Sequence, residues 1–303
     1  MKVNTYQKAV IELVVAGAIW GISFTCTSWA LQDFSPSSLI FWRFITAFIV
    51  GELIVILFQK KKAPIKNDLR WSFKAGLFLG LSILLQTYGL KYTTAINSSF
   101  ITSLYVVMLP IVSSFFYKRK IRAHDIYLSL IAFAGMGFLL NISKTNSIEF
   151  NIGDFLTLGC ALASTFHILS ISEAAKKIPS PFRFNNYQTF WSLLLICPFL
   201  LHDLTTKQQS LIPTTLHFKP ILGLAILSLL VSVVAFYLQI RAQRILSATT
   251  SSLLCLLEAP YALFFAMTLL EEKLTLLQGF GVVLILFSSI WSVYIDRPQD
   301  GKN

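Results

Sequence analysis

Three ionisable side chains lie well inside long apolar runs of the sequence, where a charge is costly. They are Arg43, His167 and Glu258. A guanidinium binds carboxylates through two hydrogen bonds, an imidazole changes charge near neutral pH, and a carboxylate can exchange a proton or bind a cationic group. Because an ionisable group at such depth is a functional candidate by default, these three lead the search for a site.

Each of the three also has a structural interpretation. Glu258 can form a fixed hydrogen bond that holds a helix break at Pro260. Arg43 can form an ion pair, or extend its side chain to the outer interface of a membrane. A lone histidine such as His167 can be satisfied by a neighbouring helix without titrating. The sequence leaves both the functional and the structural interpretation open for each residue.

Charged residues near the ends of the apolar runs have simpler interpretations. Glu12 and Lys74 lie toward the same ends of the first and third runs, and we expect them to form an ion pair. Glu52 lies near the inner end of the second run, where it can reach interfacial water or a basic loop.

A wider group of polar and aromatic residues can line a cavity for a solute. Amides and phenols beside a tryptophan suit an amphipathic organic molecule better than a bare ion, which prefers rings of carbonyls or carboxylates. The full set of candidate cavity or substrate-binding residues is Trp20, Arg43, Gln86, Tyr88, Asn97, Tyr105, His167, Gln188, Tyr237, Gln239 and Glu258. The small residues that follow Asn97 also suit close helix packing, which is the structural alternative there.

The chain that must position these residues has the composition of a membrane protein. Of its 303 residues, 55% are hydrophobic and only 13% are charged. Runs of about 20 apolar residues match the thickness of a bilayer, and spans in lipid are helices because their backbone must pair internally. We therefore predict an all-α integral membrane protein with ten transmembrane helices, at 10–31, 38–58, 71–90, 94–116, 125–141, 153–172, 183–201, 220–240, 248–270 and 274–295.

Lysine and arginine are divided unevenly between the two sides of this ten-span arrangement. One side carries 18 of them and the other carries five. Short loops rich in these residues stay in the cytoplasm, so we predict a multi-pass protein of the inner (plasma) membrane with both termini cytoplasmic. The first run contains Glu12 and lacks a clear cleavage site, so we expect a retained helix rather than a signal peptide. The net charge of +11 then reflects topology, with the lipid bilayer and not nucleic acid as the partner.

The second half of the chain is a weak copy of the first. At an offset of 145 positions Arg43 aligns with Gln188, and at an offset of 153 Gln86 aligns with Gln239. Five spans per half is an odd number, so the two copies must lie in opposite orientations in the membrane. Inverted repeats around a midplane cavity are the construction of secondary transporters.

The repeat gives the domain organisation. We predict two inverted five-helix repeats, at 10–141 and 153–295, with the cavity between them. The halves differ where Tyr105 of the first is expected to face Glu258 of the second. This asymmetric pair is the part of the cavity where specific chemistry is expected.

Several short stretches resemble a known family. The chain is similar to a ten-span member of the drug/metabolite transporter superfamily with two EamA-type repeats, over about residues 10–295. The stretches that carry the resemblance are WGISF at 20–24, FWRF at 41–44, TAINSSFITSLY at 94–105, LEAP at 257–260 and EEKL at 271–274. The chain departs from the family's pattern in two places: Ala259 separates Glu258 from Pro260, and basic residues 118–120 stand where the first repeat often carries an acidic residue.

The resemblance implies a transporter of small organic metabolites, such as amino acids or related compounds, often in the direction of efflux. It also implies a cavity built from spans one, three, four, six, eight and nine that opens by alternating access. No nucleotide-binding loop is present, so we expect any coupling to use a proton or ion gradient rather than ATP, with a proton as the candidate partner.

The alternative is an intramembrane enzyme or a channel. The sequence has no Gly-x-Ser-x-Gly or His-Glu-x-x-His motif, and it lacks rings of like charge. We therefore expect a small-molecule substrate, and no catalytic residue, metal site or cofactor.

Overall fold

The chain folds as a bundle of helices. The computed structural model describes residues 4–58, 65–93, 95–118, 120–140, 151–206, 210–269 and 275–297. Its helical segments, in chain order, are α1 (Thr5–Gly21), α2 (Ser23–Ala30), α3 (Pro36–Phe58), α4 (Ile65–Gly89), α5 (Ala95–Ser103), α6 (Tyr105–Tyr117), α7 (Ala123–Leu139), α8 (Ile152–Ala174), α9 (Pro181–Thr206), α10 (Phe218–Ala225), a π-helix (Ile226–Ala235), α11 (Phe236–Ala242), α12 (Ala248–Cys255), α13 (Glu258–Leu269) and α14 (Leu276–Asp296).

These segments form ten spans. Consecutive segments join in span one (α1–α2), span four (α5–α6), span eight (α10, the π-helix and α11) and span nine (α12–α13), and the other helices are single spans. Eight spans are long and apolar enough to cross a membrane, and span five (α7) is a shorter apolar helix. Span three (α4) has 25 residues and begins with a polar turn that includes Asp68. The predicted all-α bundle is confirmed.

Spans four and nine are broken at matching places. α5 gives way to α6 at Leu104, and α12 gives way to α13 at Leu256 and Leu257, shortly before Pro260. Proline has no backbone N–H, so a regular helix cannot continue through it with every hydrogen bond made. Leu104 and Leu257 are 153 positions apart, the same offset that relates the two halves in sequence. The two halves therefore share the position of a helix break as well as a pattern of residue types.

Span eight contains a long stretch of π-helix. The hydroxyl of Ser232 donates to the carbonyl of Leu227, five residues earlier, at 2.9 Å. The side-chain amide of Asn185 in α9 donates to the carbonyls of Ser232 and Val233 at 3.0 and 3.1 Å. A π-helix is rare and occurs often at functional sites.

The two halves pack against each other over their whole height. α4 packs on α8 and α9, α3 on α9, α2 on α10, and α7 on α14. The crossing of α7 and α14 is tight because a Cβ at Gly135 would lie 2.9 Å from the carbonyl oxygen of Gly281. A Cβ at Gly137 would meet only Phe100, at an ordinary 3.6 Å. Gly135, and not Gly137, is therefore the α7 glycine that lets α14 approach closely.

Candidate substrate cavity

A central cavity lies between the two halves of the bundle. It contains about 1080 Å³ of atom-free space, part of it open to solvent. Its lining comes from spans one, two, three, four, six, eight and nine, so span two joins the six that were expected. The predicted residues that line it are Trp20, Arg43, Gln86, Tyr105, His167, Gln239 and Glu258.

Arg43 reaches the cavity from α3 and is held by span eight. Its side chain is 9% exposed, and its Nε donates to the hydroxyl of Ser232 at 2.9 Å. Within the described part of the chain, no carboxylate lies within 4.0 Å of its guanidinium. The structural ion pair considered from the sequence is therefore absent from the described residues, and a buried cation faces the cavity.

Glu258 reaches the cavity from the opposite half, as the first residue of α13. It is partly exposed although it lies in the middle of the bundle, because its surroundings include the cavity. Tyr105 and Cys255, both buried, line the same space. Among the residues described, the Glu258 carboxylate makes neither an ion pair nor a side-chain hydrogen bond, so the fixed hydrogen bond considered from the sequence is not seen there.

His167 is satisfied by a neighbouring helix and also lines the cavity. Its Nε2 lies 3.3 Å from Oε1 of Gln188, and the Nε2 of Gln188 donates to Oδ1 of Asn185 at 2.9 Å. Asn185 in turn holds the carbonyl of Ser232, whose hydroxyl accepts from Arg43. A chain of buried polar side chains thus runs behind the cavity wall from one predicted site residue to another.

The symmetry-related glutamines Gln86 and Gln239 both line the cavity. The side-chain amide of Gln86 donates to the hydroxyl of Thr102 at 3.4 Å. Gln239 is 2% exposed, and its Oε1 has no hydrogen-bond partner among the described residues. A buried acceptor without a partner is costly, and this one belongs to a residue of the cavity wall.

Four of the predicted residues lie away from the cavity lining. Tyr88 donates its hydroxyl to Asp203, which links α4 to α9. Gln188 lies behind the wall, and Asn97 lies in the first turn of α5. Tyr237 accepts a hydrogen bond from Arg241 at 3.2 Å, in a separate pocket. In the sequence these four residues resemble the seven that line the cavity. Only the packing of the helices shows which residues face it.

Sequence reasoning missed a set of small polar residues on the cavity wall. Ser82 of α4 lies 2.7 Å, oxygen to oxygen, from Ser164 of α8, and Cys160 is also close to it. Ser23 and Thr27 of α2 line the space as well. A hydroxyl within an apolar run could have indicated them, but most such hydroxyls bond to their own helix, so the pattern is weak.

Ion pairs join the two halves toward the predicted cytoplasmic side. Arg183 of α9 pairs with Asp68 of α4 at 2.8 Å, with side chains 4% and 0% exposed. Glu12 pairs with Arg241 at 2.8 Å. The expected pairing of Glu12 with Lys74 is therefore wrong: the halves interleave, and each residue finds a partner on the other half.

The partner of Lys74 is Glu173, at 3.6 Å. Glu52 was expected to reach water or a basic loop. Its carboxylate instead accepts a hydrogen bond from Asn186 of α9 at 2.6 Å, which ties span two to α9.

Hydrogen bonds also join the halves on the opposite side. The carboxylate of Asp33, in the loop before α3, accepts from the backbone N–H of His217 at 2.8 Å and lies 2.9 Å from its Nδ1. The backbone hydrogen bond from His217, followed by that of its ring, holds the pKa of the Asp33 carboxyl below its ordinary value. Each end of the bundle thus has its own set of contacts between halves.

A ten-span helical bundle with a cavity between two related halves is the architecture of a membrane transporter. The model of the EamA-like transporter family matches residues 7–141 and 151–294. The chain belongs to this family. The resemblance inferred from the short motifs is confirmed, although the stretch at 271–274 lies outside the described residues.

Similar proteins agree with this assignment. A protein of Archaeoglobus fulgidus, named an uncharacterized transporter, is 35% identical over 285 residues, which cover 92% of this chain and 84% of the relative. The uncharacterized transporter YetK of Bacillus subtilis is 25% identical over 311 positions, covering 98% and 90%. A solved crystal structure has a TM-score of 0.75 at 15% identity and covers 95% of this chain and 98% of its own. That likeness shows the fold alone.

Proposed function

We propose that this protein is a secondary transporter that moves a small organic metabolite, an amino acid or a related compound, by alternating access. The observation that carries the proposal is the central cavity, whose lining comes from both halves. Rocking of two inverted halves about such a cavity exposes it to each side in turn. Aromatic rings, hydroxyls, amides and two opposite charges suit a polar organic solute better than a bare ion.

Contacts between the halves at both ends of the bundle support this mechanism. Arg183 and Asp68 join α9 to α4 at one end, and His217 and Asp33 join two loops at the other. Polar contacts of this kind can break on one side while their counterparts form on the other. Alternating access needs such exchangeable contacts at both ends.

Glu258 is the proposed proton-coupling residue. It lies in the cavity at the break of span nine and has no cationic partner among the described side chains. Low dielectric disfavours the charged form of a carboxylate, so Glu258 can take up and release a proton during the cycle. Proton exchange at this position would tie solute movement to a pH gradient.

The proposed location is the inner (plasma) membrane, with both termini in the cytoplasm and efflux as the direction. The excess of lysine and arginine on one side of the ten spans supports this orientation. Basic loops on that side also give the protein affinity for anionic lipid.

The proposal is tested with the full chain reconstituted in lipid vesicles. Labelled amino acids and nucleosides are offered with and without a pH gradient, and empty vesicles give the background. We expect at least one amino acid or related compound to move faster than background, and faster still with the gradient. If no solute moves above background, the proposed function fails.

Replacing Glu258 with glutamine tests the coupling step. We expect the Glu258→Gln protein to lose most of the acceleration by the pH gradient. Glu52→Gln is the matched control, because Glu52 is a membrane carboxylate held by Asn186 outside the cavity, and it should keep the acceleration. Wild-type dependence on the gradient in Glu258→Gln would remove this residue from the mechanism.

A further inference from the structure

Two charges of opposite sign line the same cavity without partners of their own. Arg43 lies on α3 and is 9% exposed, and Glu258 lies at the start of α13. Across the described parts of the chain, neither has an oppositely charged side chain within 4.0 Å. Since a charge removed from water is costly unless it is paired, a ligand that supplies both opposite charges would be stabilised at this site.

The guanidinium of Arg43 is held in a defined orientation. Ser232 accepts from its Nε at 2.9 Å, while the Ser232 hydroxyl itself donates to Leu227 within the π-helix. Asn185 holds the backbone of the same turn through the Ser232 carbonyl. A guanidinium has five N–H donors, and Ser232 takes only one of them. The two terminal nitrogens can therefore present a fork to a carboxylate, which binds such a fork through two hydrogen bonds.

The two charges lie at similar depths. Arg43 is seven residues from the start of α3, about 10 Å along the helix at 1.5 Å per residue. Glu258 is eleven residues from the end of α13, about 16 Å along it. Both of these helix ends lie on the same side of the bundle, so the depths differ by about 6 Å. Because both residues line this one cavity at neighbouring depths, a molecule held inside it can face both charges.

We propose that the cavity selects solutes that carry a carboxylate and a cationic amine at the same time, as free α-amino acids do. The carboxylate binds Arg43, the amine binds Glu258, and Ser232 is a positioning residue for the guanidinium. This inference rests on the proposed function and gives it a rule of selection. A solute with one charge leaves the other buried charge of the cavity unpaired, and that penalty rejects it.

Binding to the purified full chain in detergent tests the rule. The probes are the twenty common amino acids, each with its primary amide, which lacks the carboxylate, and its N-acetyl derivative, which lacks the amine. The readout is the increase in unfolding temperature as a function of probe concentration. We expect at least one free amino acid to bind, and its two derivatives to bind at least tenfold more weakly. Equal binding of either derivative, or no binding by any free amino acid, overturns the inference.

Substitutions assign the two charges to their groups. Arg43→Gln should bind the free acid and its amide equally, while it still rejects the N-acetyl derivative. Glu258→Gln should show the reverse pattern. Ser232→Ala should reduce, without abolishing, the preference for the acid over the amide, because the guanidinium loses its orientation. Glu52→Gln is the control and should keep both preferences. If Arg43→Gln retains the preference for the acid, Arg43 is not the carboxylate site and the inference fails.

The vesicle measurement separates this inference from the proposed function. If singly charged solutes cross the membrane as fast as free amino acids, the protein is still a transporter but the selection rule is wrong. If amino acids bind with the expected preferences but never cross the membrane, the selection rule holds and the proposed transport function is wrong.

Discussion

The pair of Asp68 and Arg183 has the clearest energetic role of any single contact. Both side chains are buried, and the pair joins α4 of the first half to α9 of the second at 2.8 Å. Burying two charges is costly, but removing one partner costs more because it leaves the other unpaired. In this conformation the contact therefore specifies how the halves meet more than it adds net stability.

Removal of one partner should destabilise the protein strongly. We expect Asp68→Asn to cost about 3–5 kcal/mol in the free energy of unfolding, since the buried Arg183 guanidinium loses the charge of the Asp68 carboxylate. The double variant Asp68→Leu with Arg183→Met should be less destabilised than Asp68→Asn alone. The measurement is the unfolding temperature in detergent. An Asp68→Asn protein as stable as wild type would show that the pair is not buried as described.

The contact of Asp33 with His217 should depend on pH. Its hydrogen bonds lower the pKa of Asp33, so the contribution of this contact is complete above the ordinary value of about 3.9 and is lost as pH falls through the lowered pKa. Hydrogen exchange of residues 210–217, corrected for the intrinsic rate, measures how strongly this contact protects the backbone of the loop. We expect about fivefold weaker protection in Asp33→Asn at neutral pH. Equal protection in both proteins would argue against the contact.

At this scale the sequence predicts residue types better than partners. A charge inside an apolar run marked Arg43, His167 and Glu258, and all three line the cavity. The same reasoning paired Glu12 with Lys74, which is wrong because the sequence gives no information on which helices of the two halves become neighbours.

Among the helices, the crossing of α7 and α14 provides a matched pair of positions. A Cβ at Gly135 would lie 2.9 Å from the carbonyl oxygen of Gly281, whereas a Cβ at Gly137 meets Phe100 at 3.6 Å. Both glycines lie in α7. A methyl group should therefore be excluded at one position and accepted two residues later.

Alanine at each position tests the crossing. We expect Gly135→Ala to destabilise the protein by about 1–3 kcal/mol, because the helices must move apart. Gly137→Ala should be neutral or stabilising by up to about 1 kcal/mol, because alanine favours a helix over glycine. Unfolding temperatures of the two variants give the comparison. The reverse order of stability would contradict the described packing of α7 on α14.

The sequence predicted most of the membrane-spanning helices but few of the breaks and π-helical turns within them. Apolar runs about 20 residues long locate the spans because the bilayer sets their length. Pro260 indicated the break in span nine. The break at Leu104 and the π-helix at Ile226–Ala235 have no proline at them, so the sequence did not indicate either. The π-helix is held by Asn185 of α9, which donates to the carbonyls of Ser232 and Val233.

For the whole molecule, symmetry explains where the cavity lies. The two halves are inverted copies, and their helices interleave so that each half supplies lining residues. The sequence predicted this arrangement from an odd number of spans per half and from the charge bias. It did not include span two among the lining helices, although Arg43 of that span was a candidate residue; Leu39 and Ile40 of the same helix also line the cavity.

The central claim is that a solute passes through this cavity, and filling the cavity tests it most directly. Ser164 of α8 lines the cavity beside Ser82 of α4, at 2.7 Å between hydroxyl oxygens, so Ser164→Phe adds a ring to this wall and keeps both charged residues in place. Uptake of labelled amino acids is compared in vesicles that hold equal amounts of folded wild type or variant. We predict that Ser164→Phe reduces transport to the background of empty vesicles. Transport at the wild-type rate by the folded variant would contradict the account.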